Sequence, residues 1–374
     1  MRLSDRNQKG FARYCPTFSR GFACIGEGIR KSKIRRKMKR TLKGDTEEYE
    51  RKLKELGDLV IDEKKRETMI TILKTDLESG DREAQGLACR VSEEVAKNGA
   101  DLTPLLENLG EILYSGDELI GDFYVREWTV EPLTIAISDQ ETRKKTLEMV
   151  KELISRGKDK CSGVAARILI NGTGDKEYRK EVLDFLIEGL SDESEHVREY
   201  FALVLEKTAE YQRDIGPAVR RLAESLDDRN DAVKKRCFTA LGFAAANKED
   251  MREALPFIAE LLGDPFSLDQ EEAGKLLFLA AAHGANMKPV IGKLMDAFSS
   301  EDADVVKFAA MALREDAGNW DMAQTVDINV RIHELLNSGW FIGESIKNTT
   351  GFTDMINELG RLAKKIEETL GAAA

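Results

Sequence analysis

Histidine is scarce in this sequence, and its scarcity excludes a large class of active sites. The chain has 374 residues but three histidines, His196, His283 and His333. They stand far apart, without the short spacing that brings two imidazoles onto one metal ion. Neither a histidine-based catalytic triad nor a histidine-based metal site is supported, and we expect no cofactor.

Cysteine is also sparse, and its pattern argues against a disulfide framework. The five cysteines are scattered and odd in number, at Cys15, Cys24, Cys89, Cys161 and Cys237. Cys15 and Cys24 lack the second pair of ligands that a zinc site needs. The sequence contains neither a secretory segment nor an apolar run long enough to span a bilayer. We therefore expect a reduced, cytoplasmic protein.

Proline is rare as well, which favours helices. With 7 prolines, 42% hydrophobic and 33% charged residues, the composition is that of a folded, helix-tolerant chain. A chain of this length exceeds one ordinary compact core, so it predicts several domains or an extended repeat array.

Charge is distributed unevenly. Residues 1–40 hold 13 Lys or Arg against Asp5 and Glu27, a net charge of +11, which leaves −22 for the rest of a chain whose total is −11. We expect residues 1–44 to be a disordered basic head, and Met38 is an alternative start. The head is suited to bind phosphates or acidic surfaces, whereas the acidic body should repel nucleic acid and favour a basic partner.

A repeat dominates the remainder. An apolar segment, a short Asp- or Ser-rich turn and a helix of small residues recur, as in "ALPFIAELLGD" followed by "DQEEAGKLLFLAAA". The segments end at positions separated by 36 residues, apart from one step of 41 that places a five-residue insertion between Leu113 and Val125. These ends are Leu77, Leu113, Ile154, Leu190, Leu226, Leu262 and Phe298.

The second helix of each repeat keeps the same register. Two columns spaced by 36 residues predict its buried face, since one apolar stripe per helix can be covered only by stacking of neighbours. The first column is Ala165, Phe201, Cys237, Ala273 and Ala309, and the second is Leu169, Leu205, Leu241, Leu277 and Leu313.

The connecting segments carry helix signals. Asp192, Asp228 and Asp264 follow the first helices by two residues, where a carboxylate suits a helix cap. Prolines near the starts of first helices cost little, as expected for Pro104, Pro217 and Pro289. Pro132 is predicted to lie late in a second helix and to kink or shorten it.

These features resemble the HEAT-repeat family, and especially the short repeats of phycocyanobilin lyase-like proteins. The resemblance rests on a proline-led "P-x-x-x-x-L-x-x-x-L" helix, an Asp turn and a Val-basic pair. The pair is present at Val125–Arg126, Val197–Arg198 and Val233–Lys234, and is replaced at Asp269–Gln270 and Val305–Val306. The resemblance implies an all-α solenoid of about seven hairpins over residues 62–337.

The ends of the chain differ from the repeats. Residues 45–61 are expected to form an N-terminal capping helix. Residues 338–374 are expected to form a loop and a C-terminal capping helix. The segment "NSGWFIGESIKNTTG", which begins at Asn337, carries the glycines and polar residues that are typical of a loop.

An acidic residue recurs two positions before the end of six consecutive first helices. Because a residue midway between two core positions four apart lies about 200° from each, it should point outward. We interpret this acidic column as a binding surface for a basic protein segment, or else as a solvated face. Its members are Glu111, Glu152, Glu188, Glu224, Glu260 and Asp296.

The sequence favours a non-catalytic scaffold for protein–protein interaction, and three alternatives stay open. The resemblance leaves a phycocyanobilin lyase-like or other enzyme-associated role. The basic head leaves nucleic-acid binding. A HEAT-like DNA glycosylase would use Trp320, Asp321 and Asp327, although the acidic body opposes a grip on DNA. Packing is the simpler reading of Trp128, Trp320 and Trp340.

Overall fold

The computed structural model describes residues 46–115, 128–156, 159–264, 269–300, 302–337 and 350–373. Within those ranges all regular structure is helical, with seventeen α-helices, several short 3-10 turns and no strand. The chain is an all-α solenoid, as its sequence predicts. The head, residues 1–44, lies outside the described residues. So does most of the insertion after Leu113, of which only Tyr114 and Ser115 are described, at the end of the helix Leu106–Ser115.

Internal contacts divide the chain into two units, Met1–Ile168 and Leu169–Ala374, and the boundary falls inside one helix. The helices of the first unit are α1 Thr46–Gly57, α2 Glu63–Leu77, α3 Arg82–Lys97, α4 Leu106–Ser115, α5 Val130–Ser138, α6 Gln140–Ser155 and α7 Asp159–Gly172, which continues into the second unit.

The second unit completes the array. Its helices are α8 Arg179–Gly189, α9 Glu195–Glu210, α10 Val219–Glu224, α11 Asp231–Ala246, α12 Leu255–Gly263, α13 Gln270–Ala282, α14 Ile291–Asp296, α15 Ala303–Asp316, α16 Met322–Asn337 and α17 Thr350–Ala373. The short helices α10 and α14 are each extended by a 3-10 turn at both ends.

Seven hairpins follow one another, each a first helix (α2, α4, α6, α8, α10, α12 or α14) and the second helix after it. All seven predicted segment ends are at most 2% exposed, and every residue of the two predicted second-helix columns is fully buried. The repeat periodicity therefore identifies the core correctly, because burial in a stacked array recurs with the repeat length.

Side chains close the turns between helices. Asp81, Asp139, Asn230 and Asp302 cap the N-termini of α3, α6, α11 and α15 through backbone N–H groups. The expected caps lie slightly earlier: Asp192 and Asp228 accept the N–H groups of Ser194 and Asn230, the residues that themselves precede α9 and α11. They hold the cap residues in place rather than capping the helices.

The prolines need one correction. Pro104, Pro217 and Pro289 lie at the starts of the 3-10 turns that lead into first helices, as predicted. Pro132 is not late in a helix, because α5 begins only at Val130. It occupies the first turn, where a backbone N–H has no partner within the helix and its loss costs little.

Helices lie at both predicted ends. Helix α1 and the 3-10 turn Asp58–Ile61 cover the predicted N-terminal segment, and α1 packs against α3. Helix α17 packs against α15 and α16, and it buries Met355, Leu359, Leu362 and Ile366. The expected loop, apart from Asn337, lies outside the described residues up to Thr349.

The second unit has two layers of helices. The first helices α10, α12 and α14 pack on one another in chain order, and the second helices α9, α11, α13 and α15 do the same, followed by α17. Each layer thus keeps an outward face, and these two faces are where surface chemistry can recur from repeat to repeat.

Candidate functional site

The acidic column lies on the outward side of the first helices. In α8, Leu186 and Leu190 are buried and Glu188 between them is exposed, which is the relation that helical geometry requires. Glu111, Glu152, Glu260 and Asp296 are exposed as well, whereas Glu224 is only partly exposed.

In the first unit one arginine lies beside the two acids of the column. Arg156 donates a hydrogen bond to Glu152 and lies over the ring of Tyr114, 4.4 Å from its centroid. The hydrogen bond with Glu152 raises the pKa of Arg156, and the charge of Glu111 raises it further. Both acids of this unit therefore already have a cation of the chain beside them.

Glu224 in the second unit is engaged in the same way. Arg221 and Arg220 donate to its two carboxylate oxygens at 2.8 and 3.0 Å. These hydrogen bonds, that of Arg221 first, hold the pKa of Glu224 below its usual value. A carboxylate satisfied by two guanidinium groups offers little charge to a partner.

Three carboxylates of the column have no ion-pair partner among the described residues, and we call them open. Among the described residues, Glu188, Glu260 and Asp296 make no ion pair. Lys293 stands one turn before Asp296, but its side chain reaches over Gly263, with Nζ 3.8 Å from where a Cβ would lie there. The charge available to a ligand therefore concentrates on these three residues of α8, α12 and α14.

The Val-basic pairs join consecutive repeats rather than forming a binding surface. Val197 and Val233 are fully buried. Their basic neighbours reach the next repeat, where Arg198 donates to Asp228 and Lys234 donates to Asp269 at 2.9 Å. The pair Val125–Arg126 lies outside the described residues.

The residues of the glycosylase alternative have structural partners. Trp320 donates its indole N–H to the buried carboxylate of Asp316 at 3.0 Å, in the turn between α15 and α16. Asp321 accepts the Gln324 N–H at the start of α16 and lies 3.6 Å from Lys288. Asp327 is exposed on α16. Trp128 likewise packs, its ring lying against Gly86.

The described cysteines do not form a reactive site. Cys89 and Cys237 are buried and unpaired. Burial raises the pKa of both thiols, that of Cys237 to about 12, so neither is a thiolate near neutral pH. Within the described ranges, no three acidic, histidine or cysteine side chains are grouped to hold a metal ion. Nor, in the same ranges, is any helix long and apolar enough to cross a membrane.

One partly exposed apolar surface was not predicted from the sequence. Phe243, Phe278, Leu279 and Met311 on the second helices are partly exposed, although they read as core residues. A signal existed: Phe243 and Leu279 share a 36-residue column with Lys207 and Glu315. A column that mixes charged and apolar residues belongs to the surface.

No family model and no curated protein matches this chain. Among solved structures it is similar to an engineered protein, at 21% identity over 64% of this chain and 96% of that one, with a TM-score of 0.39. It is also similar to Kap121p bound to Pho4p, at 13% identity over 99% of this chain and 40% of that one, TM-score 0.49. A third similar structure is Kap121p bound to Nup53p, at 12% identity over 93% of this chain and 44% of that one, with a TM-score of 0.44.

The chain thus spans well under half of the length of Kap121p. At such identities these likenesses concern the helical fold alone.

Proposed function

We propose that this chain is a non-catalytic scaffold that binds a basic segment of another protein through the acidic column. The observation that supports this most directly is the set of open carboxylates on Glu188, Glu260 and Asp296, at equivalent positions of three repeats. Because the three carboxylates occupy equivalent positions of a repeat array, they line up along the direction in which the repeats stack, and an extended basic segment can contact more than one of them.

The mechanism is electrostatic. Neighbouring packed helices lie about 8–10 Å apart, so Glu260 and Asp296 present open carboxylates on adjacent repeats. Glu188 is separated from them by the repeat of Glu224, whose carboxylate is paired with two arginines. Such a face steers a basic partner and raises its association rate, and salt removes the advantage because the Debye length is about 8 Å at physiological ionic strength. Within the column, Glu224 contributes least, since Arg220 and Arg221 already neutralise it.

The test compares the full chain with two triple variants of equal charge change. The column variant carries Glu188→Lys, Glu260→Lys and Asp296→Lys. The control variant carries Asp354→Lys, Glu367→Lys and Glu368→Lys, three exposed acids of α17. Each protein is immobilised, exposed to native lysate at low and moderate salt, and its bound proteins are identified by mass spectrometry.

We expect a basic protein that the native chain and the control variant both retain, and that the column variant and moderate salt both release. Equal recovery by all three proteins would show that the column is only a solvated face. Recovery of nucleic acid instead would move the function to the basic head, and a visible absorbance band on mixing with a bilin would favour the lyase-like alternative.

A further inference from the structure

Arg221 of α10 reaches back to the turn between α8 and α9 of the preceding repeat, and its guanidinium group is only partly satisfied there. Its Nη2 donates a hydrogen bond to the hydroxyl oxygen of Ser191, and its Nη1 donates to Glu224 at 2.8 Å. Its Nε is buried and has no hydrogen-bond partner within the described part of the chain. A buried N–H group without an acceptor is uncommon in proteins, so this one requires a physical explanation.

The unpartnered N–H group lies on the same edge of the guanidinium group as the bond to Ser191. In a planar guanidinium group, Nε–H and one N–H of Nη2 stand side by side, and we call these two donors of Arg221 the fork. The hydroxyl oxygen of Ser191 accepts from Nη2 alone, so Nε is left without an acceptor. A phosphate group presents two oxygens at the spacing of such a fork and accepts from both donors.

Ser191 is accessible to a modifying enzyme. It is exposed, and it lies in the turn between Gly189, the last residue of α8, and Glu195, the first residue of α9. Asp192, Glu193 and Glu195 follow it closely, so the segment is acidic on the C-terminal side of the hydroxyl group. Such a segment complements a protein kinase with a basic substrate groove, because kinases select their substrates partly by charge.

We propose that Ser191 is a phosphorylation site and that the fork of Arg221 binds the phosphate. A protein kinase transfers the γ-phosphoryl group of ATP to Oγ of Ser191. The bond from the γ-phosphorus to the oxygen bridging to the β-phosphate breaks, the bond from the phosphorus to Oγ forms, and ADP leaves with the bridging oxygen. The hydroxyl proton passes to a base of the kinase. Phosphate oxygens then accept from both Nε and Nη2, so the buried donor is satisfied.

Arg221 is better placed for this role than the other arginine of the turn. Arg198 donates to the backbone carbonyls of Asp192 and Glu193, but its own Nε and Nη2 already donate to the carboxylate of Asp228. The negative charges of Asp192 and Glu193 oppose a phosphate at this turn, because like charges disfavour each other. The bond to Arg221 is therefore what offsets this repulsion.

The phosphate also strengthens the acidic column, and this consequence rests on the proposed function. Ser191 follows Glu188 by three residues, and a phosphoserine there adds about two negative charges at neutral pH. Arg221 is one of the two arginines that neutralise Glu224, and the phosphate takes up part of its charge. The column between Glu188 and Glu260 therefore becomes more negative, so a basic segment should bind more tightly.

The modification itself is tested by incubating the full chain with ATP and native lysate, followed by mapping of the phosphorylated peptides by mass spectrometry. We expect phosphate on Ser191, and we expect the Ser191→Ala variant to lose it. Phosphate found only on other residues, or none at all, would overturn the assignment of this site.

The contact with Arg221 is tested in the full chain with phosphoserine incorporated at position 191 during synthesis. Phosphorus NMR measures the pKa of the phosphate in this chain and in two further chains that carry Arg221→Gln or Arg220→Gln. Both variants remove one positive charge, but only Arg221 bonds to Ser191 in the structure. We expect Arg221→Gln to raise the pKa of the phosphate by about half a unit or more, and Arg220→Gln to raise it less. Equal shifts, or no shift, would overturn the contact.

The effect on the column is measured with a fluorescent peptide of eight lysines, by anisotropy at about 50 mM salt. The matched control carries phosphoserine at position 79, because Ser79 is also an exposed turn residue and its hydroxyl bonds to backbone groups of Asp76 and Asp81. We expect phosphoserine at position 191 to tighten binding at least about threefold, and phosphoserine at position 79 to change it less. Equal affinity of the two phosphorylated chains would contradict the effect.

Two further arms separate the explanations. If the unmodified chain and the column variant bind the lysine peptide equally, the proposed function is wrong, while the NMR measurement still decides whether Arg221 binds the phosphate. Inorganic phosphate added to the unmodified chain should not tighten peptide binding. If it does so as strongly as phosphoserine at position 191, the fork binds a free anion, and the assignment of Ser191 as the source of the phosphate is overturned.

Discussion

Arg198 of α9 donates to both carboxylate oxygens of Asp228, at 2.7 and 3.1 Å, and so joins two consecutive repeats. The same arginine donates to the carbonyl of Asp192 at 2.9 Å, which ties the turn of its own repeat. One guanidinium thus holds two inter-helix turns at once. A repeat array is stable only through contacts between neighbours, so this pair should contribute to the coupling between repeats.

We expect Asp228→Asn to lower the free energy of unfolding at pH 7 by about 1–3 kcal/mol. Burial alone would raise the pKa of Asp228, but the hydrogen bonds from Arg198 and the Asn230 N–H outweigh it and lower the pKa. A lowered folded-state pKa stabilises the fold above the unfolded value, and the contribution is lost as pH falls through the folded value. Urea titrations at pH 7 and in acid measure both effects.

The control for this pair is Asp231→Asn. Asp231 also pairs with a cation, Lys234, but 93% of its side chain is exposed. Exposed pairs contribute little, so its loss should change stability by less than about 1 kcal/mol. If the two variants lose the same free energy of unfolding, the bond between Arg198 and Asp228 does not couple the repeats.

Gly189 of α8 faces the ring of Phe201, and no larger residue fits there. A Cβ on Gly189 would lie 2.0 Å from the ring, so Gly189→Ala must displace a fully buried side chain. We expect a loss of about 1–3 kcal/mol, the usual cost of overpacking. Gly360→Ala in α17 is the control, because nothing lies within 4 Å and alanine favours a helix by about 0.5–1 kcal/mol. Opposite shifts in the melting temperature are the expected result.

The repeat columns could be predicted from the sequence because burial in a stacked array recurs with the repeat length. Leu205 and Leu241, 36 residues apart, are both fully buried. The position of Pro132 within its helix was predicted wrongly. That position depends on where α5 begins, and α5 follows an insertion that interrupts the 36-residue period. Periodicity fixes positions within a helix better than it fixes helix ends.

The candidate sites were less predictable. Helical geometry predicts that the acidic residues point outward, but it does not predict which carboxylate a long Arg or Lys side chain will contact. Only the structure shows that Arg156 and Arg221 turn toward Glu152 and Glu224. The partly exposed apolar residues of the second helices were missed for a related reason. Phe243 and Leu279 are typical core residues, and their partial exposure depends on how closely neighbouring helices pack.

Glu249 places a carboxyl group beside that of Asp214 at the turn before α10. Burial raises the pKa of Glu249, and the charge of Asp214 raises it further. A raised folded-state pKa means that ionisation of Glu249 opposes folding, so the protein should gain stability as pH falls through the folded value toward the unfolded value. We expect Glu249→Gln to raise the melting temperature at pH 7 and to flatten its pH dependence. Glu367→Gln, at an exposed position of α17, should do neither.

Trp320 tests whether the "NWD" segment serves packing or chemistry. The carboxylate of Asp316 is 1% exposed and accepts hydrogen bonds from the Trp320 indole at 3.0 Å and from the Asn319 side chain at 2.7 Å. Trp320→Phe keeps an aromatic ring but leaves this buried carboxylate with one donor fewer. The cost should be about 1–3 kcal/mol, because an unsatisfied buried acceptor bears its desolvation penalty. Chemical denaturation followed by circular dichroism measures it.

The double variant Trp320→Phe with Asp316→Asn separates the two explanations. If the indole serves chiefly to satisfy the buried carboxylate, removing that charge should restore part of the stability that Trp320→Phe loses, and the two substitutions should not be additive. Strict additivity would mean that the indole and the carboxylate act independently. A Trp320→Phe protein of native stability that lost an excision activity of the native chain on alkylated DNA would instead return the glycosylase alternative to consideration.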